Sequence, residues 1–259
     1  LNAERSKSQG SADDPYSKDP VLSPLLKHYS KQPLNAEPPG SLLTDAWLTP
    51  ADLWFVRNHH PVWNIREQDY RLEVVLAADL RAGQEAPLLA LDLPHLKTQF
   101  PRSSIVSSIQ CAGNRRALMT AKEKTNGSSW DISAIGNAQW GGAKLRDILQ
   151  SVGVTEESVF GENSQPPFSQ IRHVHVVSGD GMEVSVPIKK ALSRWGDVLL
   201  AYEMNHASID PVHGFPVRFI VPGHVGVRNV KWVTKLRLSG EEAHGPWQRG
   251  MAYKGLSPA

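Results

Sequence analysis

"SSIQCAGNRR", residues 107–116, holds the only cysteine of a 259-residue chain. The run leading into it, "SSIVSSIQ" (103–110), reads as a strand, and "AGNRRALMTAKEK" behind it can start a helix in which Ala117, Leu118 and Ala121 share a face. The thiol therefore stands at a strand-to-helix turn, where backbone N–H groups, Arg115 and Arg116 would stabilise a thiolate. For any single thiol, a buried structural role is the plain alternative. A thiolate in cationic company suits a nucleophile or a metal ligand. A cysteine hydrolase would add a histidine base and an orienting Asn or Asp, and ten histidines offer candidates. Zinc finds no support, because the chain has neither C-x-x-C nor H-E-x-x-H. A further case is a metal held by one protein sulfur, its other ligands coming from an anionic organic cofactor surrounded by cationic side chains.

Outward from this turn the chain alternates short strands with few helices. "TPADLWFVRNHHPVW" starts with a capped turn at Thr49 to Asp52, and an apolar strand from Leu53 to Val56 delivers "RNHH" into a loop closed by Pro61. "DYRLEVVLA" alternates as a strand does, and "PLLALDLPHLKTQFP" reads as a strand followed by a short helix. "AKLRDILQSVGV" (143–154) is an amphipathic helix with Leu145, Ile148 and Leu149 inward and Gly153 as its stop. "HVHVVS" and "MEVSVPI" are strands joined at Gly179-Asp180-Gly181, and "KKALSRWG" is a short helix. "DVLLAYEMN", "VRFIVPG" and "VKWVTKLRL" add further strands. The expected class is α+β, with mixed sheets and scattered short helices. Neither G-x-G-x-x-G nor G-x-x-x-x-G-K-[ST] occurs, so a Rossmann or P-loop nucleotide site has no basis.

Composition bounds the function classes. A net charge of +2 lacks the dense basic stripe of a nucleic-acid binder, and no apolar run approaches the length of a membrane span. A soluble protein with no nucleic-acid or membrane partner is expected. One cysteine allows no internal disulfide, so folding does not depend on oxidation. Residues 1–40 mix both charges with Ser, Asn and Pro, and they read as an extended linker or arm lying over a surface. Residues 41–259 then form the functional domain. The chain reads as a fragment at both ends.

Three further segments carry cations on tight turns. "FVRNHH" brings Arg57, His59 and His60 together, and "HGFPVR" sets His213 and Arg218 around Gly214 and Pro216. "PGHVGVRNVKW" adds Arg228 and Lys231, with glycines that let backbone N–H groups approach a ligand. Each alone reads as a solvated turn. Together they describe a deep anion pocket.

"NAEPP" (35–39), "FVRNHHPV" (55–62), "QCAGNRR" (110–116), "LLAYEMN" (199–205), "HGFPVR" (213–218), "VPGHVGVRNVKW" (221–232) and "WQRGMAYKGLSP" (247–258) together resemble the molybdenum-cofactor domain of the sulfite oxidase family, from Asp14 to the last residue. The resemblance implies a sulfite-oxidase-type molybdopterin-binding fold, with one pyranopterin per molybdenum and Cys111 as the metal ligand. It implies that Phe55, Val56, Arg57, Asn58 and His59 cover the cofactor, with Arg57 also facing the substrate anion. Asp180, His213, Arg218 and the backbone of Asn229, Val230 and Lys231 would contact pterin or phosphate. Tyr253 matches an active-site tyrosine, for which a core tyrosine is the plain alternative. The family also places a lysine near the metal, downstream of the cysteine, and Lys124 stands for it, with Lys122 as the alternative.

The implied activity is oxidation of sulfite to sulfate, with electrons passed to an acceptor such as cytochrome c or oxygen. Fixed guanidinium groups suit such a small dianion. An assimilatory nitrate reductase, a methionine-sulfoxide reductase relative and an incomplete, non-catalytic cofactor module are the other readings. The family continues into an immunoglobulin-like dimerisation domain, so a homodimer is expected of the full chain. Haem is expected only on a domain outside these residues. The mitochondrial intermembrane space is the expected compartment, with peroxisome and cytosol as alternatives.

Overall fold

The structure, a computed structural model, describes residues 14–250 and Tyr253. In chain order its strands are β1 (Lys27–Lys31), β2 (Leu34–Glu37), β3 (Val56–Arg57), β4 (Leu72–Leu76), β5 (Ala86–Leu91), β6 (Arg102–Gln110) and β7 (Ile135–Lys144). They continue with β8 (His173–Ser178), β9 (Glu183–Pro187), β10 (Leu199–Met204), β11 (Ala207–Ser208), β12 (Arg218–Ile220) and β13 (Val233–Ser239). Three sheets result: β1-β2-β3; β11-β10-β7-β6 with β12 on β10; and β5-β4-β13-β8-β9. The last sheet is mixed, because β13 runs parallel to β4 and antiparallel to β8. The class is α+β, as the short alternating runs predict.

Alternation explains the layers. In β4 and β13 the residues Leu72, Val74, Leu236 and Leu238 turn inward, and the same apolar cluster takes in Leu200, Tyr202 and Phe219 from the second sheet. The helix Leu145–Ser151 adds the predicted inward face of Leu145, Ile148 and Leu149. A second cluster covers the other face of β6, β7 and β10 with Trp54, Trp130 and Trp140. Close approach of β7 to β10 depends on Gly142, since a Cβ there would sit 2.2 Å from the Leu200 carbonyl oxygen. Among the described residues no helix is long and apolar enough to cross a membrane.

Three local expectations change. Residues 27–37, read as part of an extended arm, form the β1-β2 hairpin, whose second strand pairs with β3 through Asn35↔Arg57 and Ala36↔Val56. That partner lies some twenty residues downstream, so local sequence does not reveal it. Residues 1–13 of the arm lie outside the described residues. The expected strand from Leu53 to Val56 is a 3₁₀ turn, Ala51–Leu53, followed by the two-residue β3. In the helix Arg116–Thr120, the face expected from Ala117, Leu118 and Ala121 is not a buried stripe, since Leu118 and Ala121 are exposed and Ala117 is half-buried.

Candidate active site

β6 ends one residue before Cys111, whose backbone N–H donates to the Ala134 carbonyl at 2.9 Å. The half-buried Sγ then accepts from the Gly113 N–H at 3.4 Å. Arg115 closes this turn in the left-handed region, at φ 64°, and the following Arg116 lines a cleft. Phe55, Arg57, Asn58 and His59 enter the same cleft from the β3 side, Asp180 from the β8–β9 turn, His213 from the turn before β12, and Arg218 from the start of β12. The run Asn229, Val230, Lys231 forms a further wall, and Tyr253 closes the site.

Four cations, Arg57, Arg116, Arg218 and Lys231, thus share a cleft with one carboxylate, Asp180. Asp180 is occupied by His60 Nδ1 at 3.1 Å and by the Ser178 hydroxyl at 2.6 Å. Arg57 Nη1 donates to Asn35 Oδ1 at 3.0 Å and to the Asn58 carbonyl at 2.5 Å. Arg218 donates to the His213 carbonyl at 3.0 Å and lies over the Trp140 ring. Lys231 Nζ donates to Asn58 Oδ1 and to the Val212 carbonyl. Among the described residues none of these four cations forms a contact ion pair with a carboxylate, and Asp180 and Asp19 act on Lys231 only at longer range. Burial pushes Arg218 down to about 9 and holds Lys231 well below the usual ammonium range, with their mutual repulsion adding to the Lys231 shift.

The neutral groups are equally defined. His213 is buried and donates to the Ala51 carbonyl at 2.8 Å, and burial lowers its pKa to about 3. Burial lowers His59 to about 3 as well, assisted by Arg57 and Lys231. Its Nε2 stands 2.9 Å from the Tyr253 hydroxyl. Burial raises the Tyr253 pKa above its ordinary value, opposed by Arg57 and Arg116, so this hydroxyl stays protonated at neutral pH. The charges of Cys111, Arg57 and Arg116 all act on it.

The chemistry of this set fits an anionic organic cofactor carrying a soft metal. Uncompensated buried cations are costly without a counter-anion, by several kcal/mol each at the upper end. Asn58 Nδ2 is buried among them with no hydrogen-bond partner. One cysteine sulfur is available, and among the described residues no group of three or more His, Cys, Asp or Glu is placed to hold a metal ion. A metal on Cys111 would therefore take its remaining ligands from the cofactor. The hydrolase reading lacks its base: the two cleft histidines direct Nε2 to Ala51 and Tyr253, and no Cys111–histidine hydrogen bond occurs among the described residues.

Of the residues predicted from sequence, Phe55, Arg57, Asn58, His59, Cys111, Asp180, His213, Arg218, Asn229, Val230, Lys231 and Tyr253 line one cleft. Val56 does not, because strand alternation turns its side chain into the cluster of Leu34, Ala36 and Trp232. Lys124 and Lys122 lie exposed beyond the helix Arg116–Thr120 and do not line the cleft. The Asn229 side chain is satisfied internally, accepting from Val221 N–H at 2.9 Å, which leaves backbone as its means of contact. Sequence reading set Arg116 beside the thiol without assigning it to the pocket, and it passed over Gly113, Ser178 and Met182. Nothing local marks the last two; they enter because they flank Asp180 in its turn.

Residues 59–247 match the family described as "Oxidoreductase molybdopterin binding domain". The human "Sulfite oxidase, mitochondrial" is 42% identical over 252 residues, which are 95% of this chain and 43% of that protein. A "Nitrate reductase [NADH]" of Cichorium intybus is 30% identical over 238 residues, 92% of this chain and 25% of that protein. The sulfane dehydrogenase SoxCD of Paracoccus pantotrophus superposes with a TM-score of 0.64 at 21% identity, over 93% of this chain and 58% of that one, a likeness of fold. The chain spans about half the length of the sulfite oxidases it matches. With most of its length inside that family match and a cleft built for an anionic cofactor, the chain belongs to the oxidoreductase molybdopterin-binding domain family.

Proposed function

We propose that this chain is the catalytic part of a molybdenum-dependent sulfite oxidase, converting sulfite and water to sulfate, two protons and two electrons. The observation that carries the reading is the single thiol of Cys111 in a cleft of four cations and one carboxylate. Cys111 Sγ would hold the metal. His213, Arg218, Asp180 and the run 229–231 would hold the pterin and its phosphate. When bound, a molybdenum–molybdopterin supplies oxygen-atom transfer and takes up the two electrons.

The residues of the chain do the rest. Arg57 and Arg116 supply fixed guanidinium charge, which draws in a sulfite dianion and orients it. The protonated Tyr253 hydroxyl, 2.9 Å from His59 Nε2, can donate to an oxygen of the bound anion. With His59 neutral, that hydroxyl adds no charge to the site. Electrons would leave to cytochrome c or oxygen. The full protein would be a homodimer in the mitochondrial intermembrane space; the name of the human relative supports the mitochondrion.

The test pairs metal analysis with turnover. Wild-type protein from a cofactor-competent host is expected to carry near-stoichiometric molybdenum and to reduce cytochrome c with sulfite. The Cys111→Ser protein should lose the visible thiolate-to-metal charge-transfer absorption. Folded wild type without molybdenum, or reduction of nitrate with no oxidation of sulfite, would sink the reading.

A further inference from the structure

Of the run 226–231, five residues line the cleft: Gly226, Val227, Asn229, Val230 and Lys231. Arg228 is the exception. It is 8% exposed, and its guanidinium is spent on the segment that carries Tyr253. Nη1 donates to the Trp247 carbonyl at 2.8 Å and Nη2 to the Tyr253 carbonyl at 3.4 Å. The Tyr253 side chain lines the cleft, and the Trp247 ring packs against two of the cleft's residues. The Trp247 ring lies 4.2 Å from the His59 ring and 5.6 Å from the Tyr253 ring, centroid to centroid. The Tyr253 hydroxyl meets His59 Nε2. One buried guanidinium thus grips the backbone from which both rings spring.

We infer that Arg228 is a positioning residue that couples the cofactor-contact run 229–231 to the wall carrying Tyr253, and so sets where the Tyr253 hydroxyl stands. Its catalytic meaning rests on the reading above; its geometry does not. Arginine suits the task because a rigid, permanently charged fork presents separate nitrogens to two carbonyls in a fixed geometry. Burial works against that charge, and the nearby Glu242 carboxylate offsets part of the cost. The segment has a second anchor, since Gln248 Oε1 accepts from the Ser185 N–H at 3.0 Å. Replacing Arg228 should therefore loosen the Tyr253 end without releasing the whole segment.

Five tyrosines make this measurable. In cofactor-loaded protein labelled with 3-fluorotyrosine, the Tyr253 signal in a ¹⁹F spectrum is assigned by its loss in Tyr253→Phe. Arg228→Lys and Arg228→Gln should each shift or broaden that signal and leave those of Tyr16, Tyr29, Tyr70 and Tyr202 in place. A Tyr253 signal unmoved in both variants would overturn the inference. So would movement of all five signals together, which marks a general structural role. No turnover enters the measurement, so cofactor-loaded protein that fails to oxidise sulfite leaves its outcome standing.

Discussion

His213 shows how much a single side chain reveals once its surroundings are known. Its imidazole is buried, donates to the Ala51 carbonyl and resists protonation down to about pH 3, whereas an ordinary histidine titrates near 6.5. Between those values the unfolded chain binds a proton that the folded chain refuses. The stabilisation from His213 is therefore complete above about pH 6.5 and is lost as pH falls toward 3, by up to about 1.4 kcal/mol per pH unit. Melting temperatures recorded from pH 7 to pH 4 should fall less steeply in His213→Gln, whose amide keeps the bond to Ala51. Parallel curves would contradict this. Sequence announced His213 as part of a cationic turn, and burial makes it a neutral donor instead. Lys122 and Lys124 differ in the opposite sense, since they lie in solvent away from the cleft. Side-chain type was legible in each case, and protonation and direction were not.

At the scale of elements, the strand ending at Cys111 was legible because small and β-branched residues run unbroken from Ser103 to Ile109, and β6 pairs with β7 over its whole length. The helix Leu145–Ser151 was legible because its three buried residues recur at helical spacing. The β1-β2 hairpin was not, because its stability comes from β3, a partner that only the folded chain brings near. Gly142 belongs to the same category. Glycine is disfavoured in strand interiors, yet Gly142 lies within β7, where it permits contact with β10. Gly142→Ala should destabilise the fold by about 1–3 kcal/mol, because the neighbour it would strike is backbone and cannot swing aside. The midpoint of denaturant unfolding reads this directly. An unchanged midpoint would mean that the β7–β10 spacing is looser than 2.2 Å implies.

For the whole molecule, the cleft stores more positive charge than its own carboxylate offsets. Arg57, Arg116, Arg218 and Lys231 face a single carboxylate that already serves His60 and Ser178. Removing the cofactor should therefore lower the melting temperature, and an oxyanion should restore part of the loss by mass action, about 1.4 kcal/mol for each tenfold excess over its dissociation constant. Millimolar sulfate or phosphate is expected to raise the melting temperature of cofactor-free protein more than chloride at equal ionic strength. The increment should shrink in Arg218→Gln. Equal effects of the three anions would indicate general screening and argue against a built anion site.

Sequence alone determined that one thiol follows a strand, that cations cluster on three turns, and that the chain is a mixed-sheet α+β domain. These are properties of composition, spacing and alternation, which the chain carries before it folds. Tertiary structure decided which charges meet. Arg116 and Arg218 face the cleft, Val56 turns into a core cluster, and Arg228 reaches past its cleft-lining neighbours to hold the carbonyls of Trp247 and Tyr253. The physical reason is that neighbouring side chains on a loop or strand point to different sides. Only packing against elements distant in sequence selects the side that becomes the site.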